Sequence, residues 1–192
     1  LSNSARAWQI YGAKKSEGHA AAWLGMIEAQ LTGGGVPAER AAELGAWLWE
    51  QQPTRNLWRQ PIPGMIELVR ELKQARVPVA IISNSEGHLA ELIDELGWAN
   101  AFDVVIDSGR GGFDKPDPRI FAHACASLGI ETQQLLHVGD AWEADVQGAL
   151  GAGAAAVWFD QAHAARSLPP RAYGAANAAE LREVLARLGF LS

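Results

Sequence analysis

The chain has 192 residues, 48% of them apolar, and a formal net charge of −6, an ordinary composition for one folded core with an appendage. The acidic balance argues against a nucleic-acid partner, because phosphate backbones are held chiefly by Lys and Arg, and no apolar run approaches the roughly 18 residues that would suggest a membrane span. A single cysteine, Cys125, excludes an internal disulfide framework and points to a reducing, cytoplasmic setting.

Residues 1 to about 60 read as helical. Glu17 to Leu31 carries Trp23, Leu24, Ile27 and Leu31 at helical spacing and stops at Gly33-Gly34-Gly35. Pro37 suits a first helical turn, and Ala41, Leu44 and Leu48 continue an apolar stripe toward Gln52-Pro53. Five of the eight tryptophans fall here (Trp8, Trp23, Trp47, Trp49 and Trp58) and are expected to form the core of this segment and its seam with the remainder.

From Pro61 the pattern alternates. A helix over about 64–74 precedes a strand Val77 to Ile82, and one over about 87–96 precedes Val104 to Ile106. Helices over about 118–128 and 143–151 precede Leu135 to Val138 and Ala155 to Phe159, and a last helix covers about 179–188. Continuous apolar strands separated by amphipathic helices predict an α/β fold, a parallel sheet covered by helices on both faces. The expected domains are therefore a helical one, 1–60, and a sheet-based one, 61–192. Charge is uneven: the formal total is +2 through Arg76 and −8 beyond it. A phosphate bound in the acidic part would need local donors and a cation rather than a general basic field.

Three segments follow in a fixed order. Ser83-Asn84 ends the first strand, Lys115 stands in Phe113-Asp114-Lys115-Pro116-Asp117-Pro118 a loop's length after the second, and Gly139-Asp140 follows the third. In an open parallel sheet, residues just beyond the carboxyl ends of strands share one rim, where ligands bind. Ser83 Oγ with nearby backbone N–H groups could donate to a phosphate oxygen, although strand-end turn chemistry also accounts for Ser83 and Asn84. Lys115 is followed by a rigid Pro-Asp-Pro turn and could neutralise a transferring phosphoryl group, although an exposed lysine is usually a solvated charge. Asp140 could simply cap a helix; paired with Asp145 near the same helix start, it suits Mg²⁺. His137, inside its strand, reads as a core histidine with one hydrogen bond.

Together these segments resemble the haloacid dehalogenase-like hydrolase superfamily, in the branch with a small helical cap. The matching stretches run from Pro61-Ile62-Pro63-Gly64 to Ser83-Asn84-Ser85, from Phe102 to Ser108 and on through Lys115 to Phe121, and from His137-Val138-Gly139-Asp140 through Asp145 to Gly148-Ala149. The resemblance implies a Rossmann-like core with a small all-helical cap and an Mg²⁺-dependent phosphatase working through an aspartyl-phosphate. The implied substrate is a small phosphorylated metabolite. It matches Ser83, with Asn84 beside it, to phosphate binding, and Lys115 to the lysine that steadies nucleophile and phosphate. Asp140 matches a Mg²⁺ ligand and Asp145 the second carboxylate of that site, held further out.

One departure is large: no Asp-x-Asp occurs anywhere in the sequence, so the nucleophile motif of the resemblance is missing. The expectation is that the motif belongs to an N-terminal segment not included here and that the central first strand is absent. The strands at 77–82 and 135–138 would then each bury an unpaired backbone edge, and the chain as written would not turn over substrate. Two other readings stay open. Ala141-Trp142 has a likeness to 2-haloacid dehalogenase-type hydrolases, although retention of Asp140 favours phosphoryl chemistry. A non-catalytic binding or scaffold protein of the same fold is the other. A phosphorelay receiver is disfavoured because Asp140 follows both the hydroxyl and the lysine.

Overall fold

Alternation of helix-forming and strand-forming segments divides the chain where its composition changes. The computed structural model describes residues 3–52, 54–55 and 59–192, so Pro53 and Trp58 lie outside the described residues. Two compact units emerge, Leu1–Gln60 and Pro61–Ser192.

In the first unit, α1 (Asn3–Lys14) leads through a 3₁₀ turn into α2 (His19–Gly33), followed by α3 (Ala38–Gln51). Pro37 precedes the first turn of α3, where its missing N–H costs nothing. Tyr11, Trp23 and Met26 pack in a buried cluster against Trp8 and Trp49, and the rings of Trp8, Tyr11 and Trp23 meet edge to face with centroids 5.1–6.0 Å apart. Trp47 departs from the expected core. It is 55% exposed, because it projects from the side of α3 opposite the buried Ala41 and Gly45.

The second unit alternates as its sequence predicts. Its elements are α4 (Met65–Gln74), β1 (Ala80–Ser83), α5 (Leu89–Glu95), β2 (Val104–Asp107), the single turn α6 (Ser108–Gly111), α7 (Pro118–Leu128) and β3 (Leu136–Gly139). A wide π turn, Trp142–Gln147, runs into α8 (Gly148–Gly151), followed by β4 (Ala155–Phe159), β5 (Ala172–Ala175) and α9 (Ala178–Arg187). Strand β1 begins later than its apolar run. Pro78 has no N–H to give the ladder, and the Val79 N–H is taken by the Asp103 carboxylate at 2.8 Å. Strand β5 escapes sequence reading because Ala-Tyr-Gly-Ala has no β-branched residue.

Among the described residues all strand pairings are parallel, but they form two separate sheets, β1-β2 and β3-β4-β5. One face of the larger sheet buries Val157 and Ala175 under Leu68 of α4 and Leu181 and Leu185 of α9. The other buries Ala156 and Trp158 with Phe121, Ala124, Val146 and Ala149 of α7, the π turn and α8. This alternation along β4 is what a strand buried on both faces requires. Between β1 and β3 lies an apolar cavity of about 940 Å³, lined by residues 77–82 of one strand segment and 134–140 of the other, with Met65, Val69 and Leu72 of α4. The two strands that face it carry unpaired backbone edges, as the missing central strand predicts. Among the described residues, no helix is long and apolar enough to cross a membrane.

Candidate active site

The carboxyl ends of β1 and β3 point to the same border, and one lysine ties them together. Lys115 enters on the loop between α6 and α7, where Pro118 begins the helix and Asp117 caps it. Its Nζ donates to the Ile82 carbonyl at the end of β1 (2.8 Å) and to Asp145 Oδ1 (2.6 Å). Asp145 Oδ2 in turn accepts the Ala141 N–H (2.9 Å), one residue past Asp140. Ser83, Lys115, Asp140 and Asp145 are thus brought to one rim, linked across the space between the two sheets.

Each member has a distinct environment. Ser83 stands at the last position of β1, and its hydroxyl has no partner among the described residues. Asn84 is fastened to Lys115 in both directions: its Nδ2 donates to the Lys115 carbonyl (3.0 Å) and its Oδ1 accepts the Lys115 N–H (2.8 Å). Its carboxamide therefore fixes the lysine's backbone. Asp107, a residue sequence reading passed over, performs the same task for the loop after Ser83. Its buried carboxylate accepts from Ser85 Oγ and from the N–H groups of Gly87, Leu89 and Gly109. The signal available was an acidic residue closing an apolar strand run.

Asp145 is 4% exposed. Burial opposes its ionisation, but the hydrogen bond from His137 and the Lys115 charge outweigh that and hold its carboxyl well below the usual range. The π turn places it there: the N–H groups of Asp145 and Val146 both reach back to the Ala141 carbonyl, which widens the turn and leads the side chain inward. Gly139 leaves the room, since a Cβ there would lie 2.2 Å from Asp145 Cγ. His137 is the core histidine its sequence position suggested. Its Nε2 meets Asp145 Oδ1 at 2.9 Å, and its ring stands edge-on to Phe121. Burial lowers its pKa, so the imidazole is neutral and Nε2 carries the proton it gives to the carboxylate.

These shifts carry a stability signature. On unfolding, His137 gains a proton below its ordinary 6.5 and Asp145 below its ordinary 3.8, protons that the folded chain resists taking. The stability these two groups contribute is therefore full above pH 6.5 and declines as pH falls, first through the imidazole and then through the carboxyl. His137→Phe is expected to flatten the decline between pH 6.5 and 3.8, read from urea midpoints at constant salt. An unchanged slope would remove His137 from the account.

Asp140 differs from Asp145. It is exposed, its side chain bonds no other described residue, and its packing together with the Asp145 charge raises its pKa. Among the described residues there is no cluster of three or more His, Cys, Asp or Glu able to hold a metal ion. The donor set nonetheless fits Mg²⁺, which keeps several waters and takes one or two carboxylates with substrate oxygens. Asp140 is the open carboxylate for that purpose, while Asp145 has both oxygens engaged.

Comparison with known proteins gives the family and the fold. A family model described as haloacid dehalogenase-like hydrolase matches residues 10–153. A phosphoserine phosphatase from Thermus thermophilus is 33% identical over 171 residues, covering 85% of this chain and 66% of that protein. A rat N-acylneuraminate-9-phosphatase is 29% identical over 135 residues, covering 69% and 53%. The chain thus spans between about half and two thirds of the length of these relatives. A crystal structure of a phosphatase of this superfamily from Thermococcus onnurineus superposes with a TM-score of 0.63 at 21% identity, covering 96% of this chain and 89% of that one, a likeness of fold.

Proposed function

The chain belongs to the haloacid dehalogenase-like hydrolase family, and we propose that its site serves a Mg²⁺-dependent phosphatase acting on a small phosphorylated metabolite. The observation that carries this reading is the Lys115 ammonium joining the end of β1 to Asp145 beside an open Asp140. In this reading Ser83 Oγ donates to the phosphoryl oxygens. Lys115 balances their charge, and Asn84 keeps Lys115 in place. Asp140, with Asp145 behind it, would hold Mg²⁺, which supplies positive charge to the phosphoryl oxygens when bound. Leu1–Gln60 is the helical cap and Pro61–Ser192 the core.

The nucleophile is the part no described residue provides. We assign it to an aspartate at the end of an extended apolar strand that occupies the cavity between β1 and β3 and pairs with both free edges. Such a strand would deliver its terminal side chain to the rim where Lys115 lies. The aspartate oxygen bonds phosphorus as the bond from phosphorus to the alcohol oxygen breaks, that oxygen taking a proton from a second carboxylic acid two residues on in the same segment; water then gives a proton back to that carboxylate as it cleaves the aspartyl-phosphate and releases inorganic phosphate. The test is hydrolysis of p-nitrophenyl phosphate by the complete protein in the presence of Mg²⁺. Turnover that ceases with excess chelator and returns with Mg²⁺ is the expected result; undiminished turnover in chelator would overturn the metal's part.

A further inference from the structure

One cation at this rim has no acidic partner. Arg166 follows the 3₁₀ turn Gln161–Ala165 that leaves β4, and its guanidinium lies over the Trp142 ring, 3.7 Å from the centroid. Trp142 meets Trp158 edge to face at 4.9 Å, and Trp158 Nε1 donates to the Asp140 carbonyl at 3.0 Å. Two indoles in contact therefore connect the arginine to the backbone of Asp140. Other cations of these loops are engaged: Lys115 with Asp145, Arg119 with Asp117, Arg110 with Glu91. Among the described residues no side chain bonds or ion-pairs with the Arg166 guanidinium.

A guanidinium stacked on an indole is fixed by its face and keeps its N–H edges available. Those edges suit the paired oxygens of a carboxylate or phosphate. Around them the half of the chain beyond Arg76 is strongly acidic, so an incoming dianionic or trianionic ester finds repulsion except where a local cation answers it. We propose that Arg166, on its Trp142 platform, receives a second anionic group of the substrate, so that the preferred substrates are phosphate esters carrying a further carboxylate or phosphate. This inference rests on the phosphatase reading above and deepens it.

The test compares linear ω-phosphooxy alkanoic acids of increasing chain length with their neutral amides, the matching bisphosphates and the matching amines, using the complete protein with Mg²⁺. For at least one length the acid or bisphosphate is expected to exceed the amide by about tenfold in kcat/KM, mostly through KM. Arg166→Gln should bring that ratio near one. Arg166→Glu should turn the preference toward the amine, a reversal that loss of packing cannot produce. A ratio near one in the unaltered protein at every length, or a preference surviving in Arg166→Gln, overturns the inference while aryl-phosphate hydrolysis leaves the phosphatase reading standing. Absence of Mg²⁺-dependent aryl-phosphate hydrolysis overturns that reading and the inference with it.

Discussion

Asp140→Ala is expected to reduce Mg²⁺-dependent phosphatase turnover by about a thousandfold or more, while moving the unfolding midpoint little. The two halves of this outcome come from one structural fact. Asp140 is exposed and its side chain bonds no other described residue, so removing it breaks no hydrogen bond or ion pair to another described side chain. Its value lies wholly in what it can bind. Kinetics at saturating and limiting Mg²⁺ with urea unfolding of the same samples would check both halves. A large fall in stability, or a mutant that keeps near-normal turnover, would remove Asp140 from the metal site. Asparagine at this position should recover little, since a neutral carboxamide is a poor substitute for a carboxylate toward a hard dication.

Lys115→Met should behave in the opposite way and destabilise the fold by about 3–5 kcal/mol as well as abolish turnover. Asp145 is buried and Lys115 largely so, with side-chain exposures of 5% and 11%. Deleting the ammonium strands a carboxylate in a place where His137 alone cannot balance it, and it also leaves the Ile82 carbonyl without its donor. The same reasoning makes a second variant informative. Asp145→Asn in the Lys115→Met background removes the stranded charge and should restore a sizeable part of the loss, giving a coupling energy of about 1–3 kcal/mol in the double-mutant cycle. Additive effects would mean that the pair is not the strut joining the ends of β1 and β3.

Much of this molecule was legible in one dimension because the physics behind it is local. The period of apolar residues marks helices and strands, so α7 and β4 occur over the spans their patterns predict. Pro118 and Asp117 announce a helix start, and glycine after a strand followed by aspartate announces a turn at the sheet's edge. The unpaired edges of β1 and β3 were expected through the family resemblance alone, because the central strand it implies has no counterpart in the sequence.

What folding alone decided is which side chains meet. Asn84 sits beside Ser83 in the sequence, yet its carboxamide grips the backbone of a residue 31 positions away. Asp145 looks like a metal ligand by spacing, but the π turn leads it inward to Lys115 and His137, leaving Asp140 as the open carboxylate. Arg166 is laid on Trp142 by the turn after β4, a contact between residues 24 positions apart. The cause is the same in each case. Backbone propensity depends on near neighbours and can be read along the chain, whereas the pairing of charges and rings depends on distances set by strand order and helix packing, which no local pattern encodes.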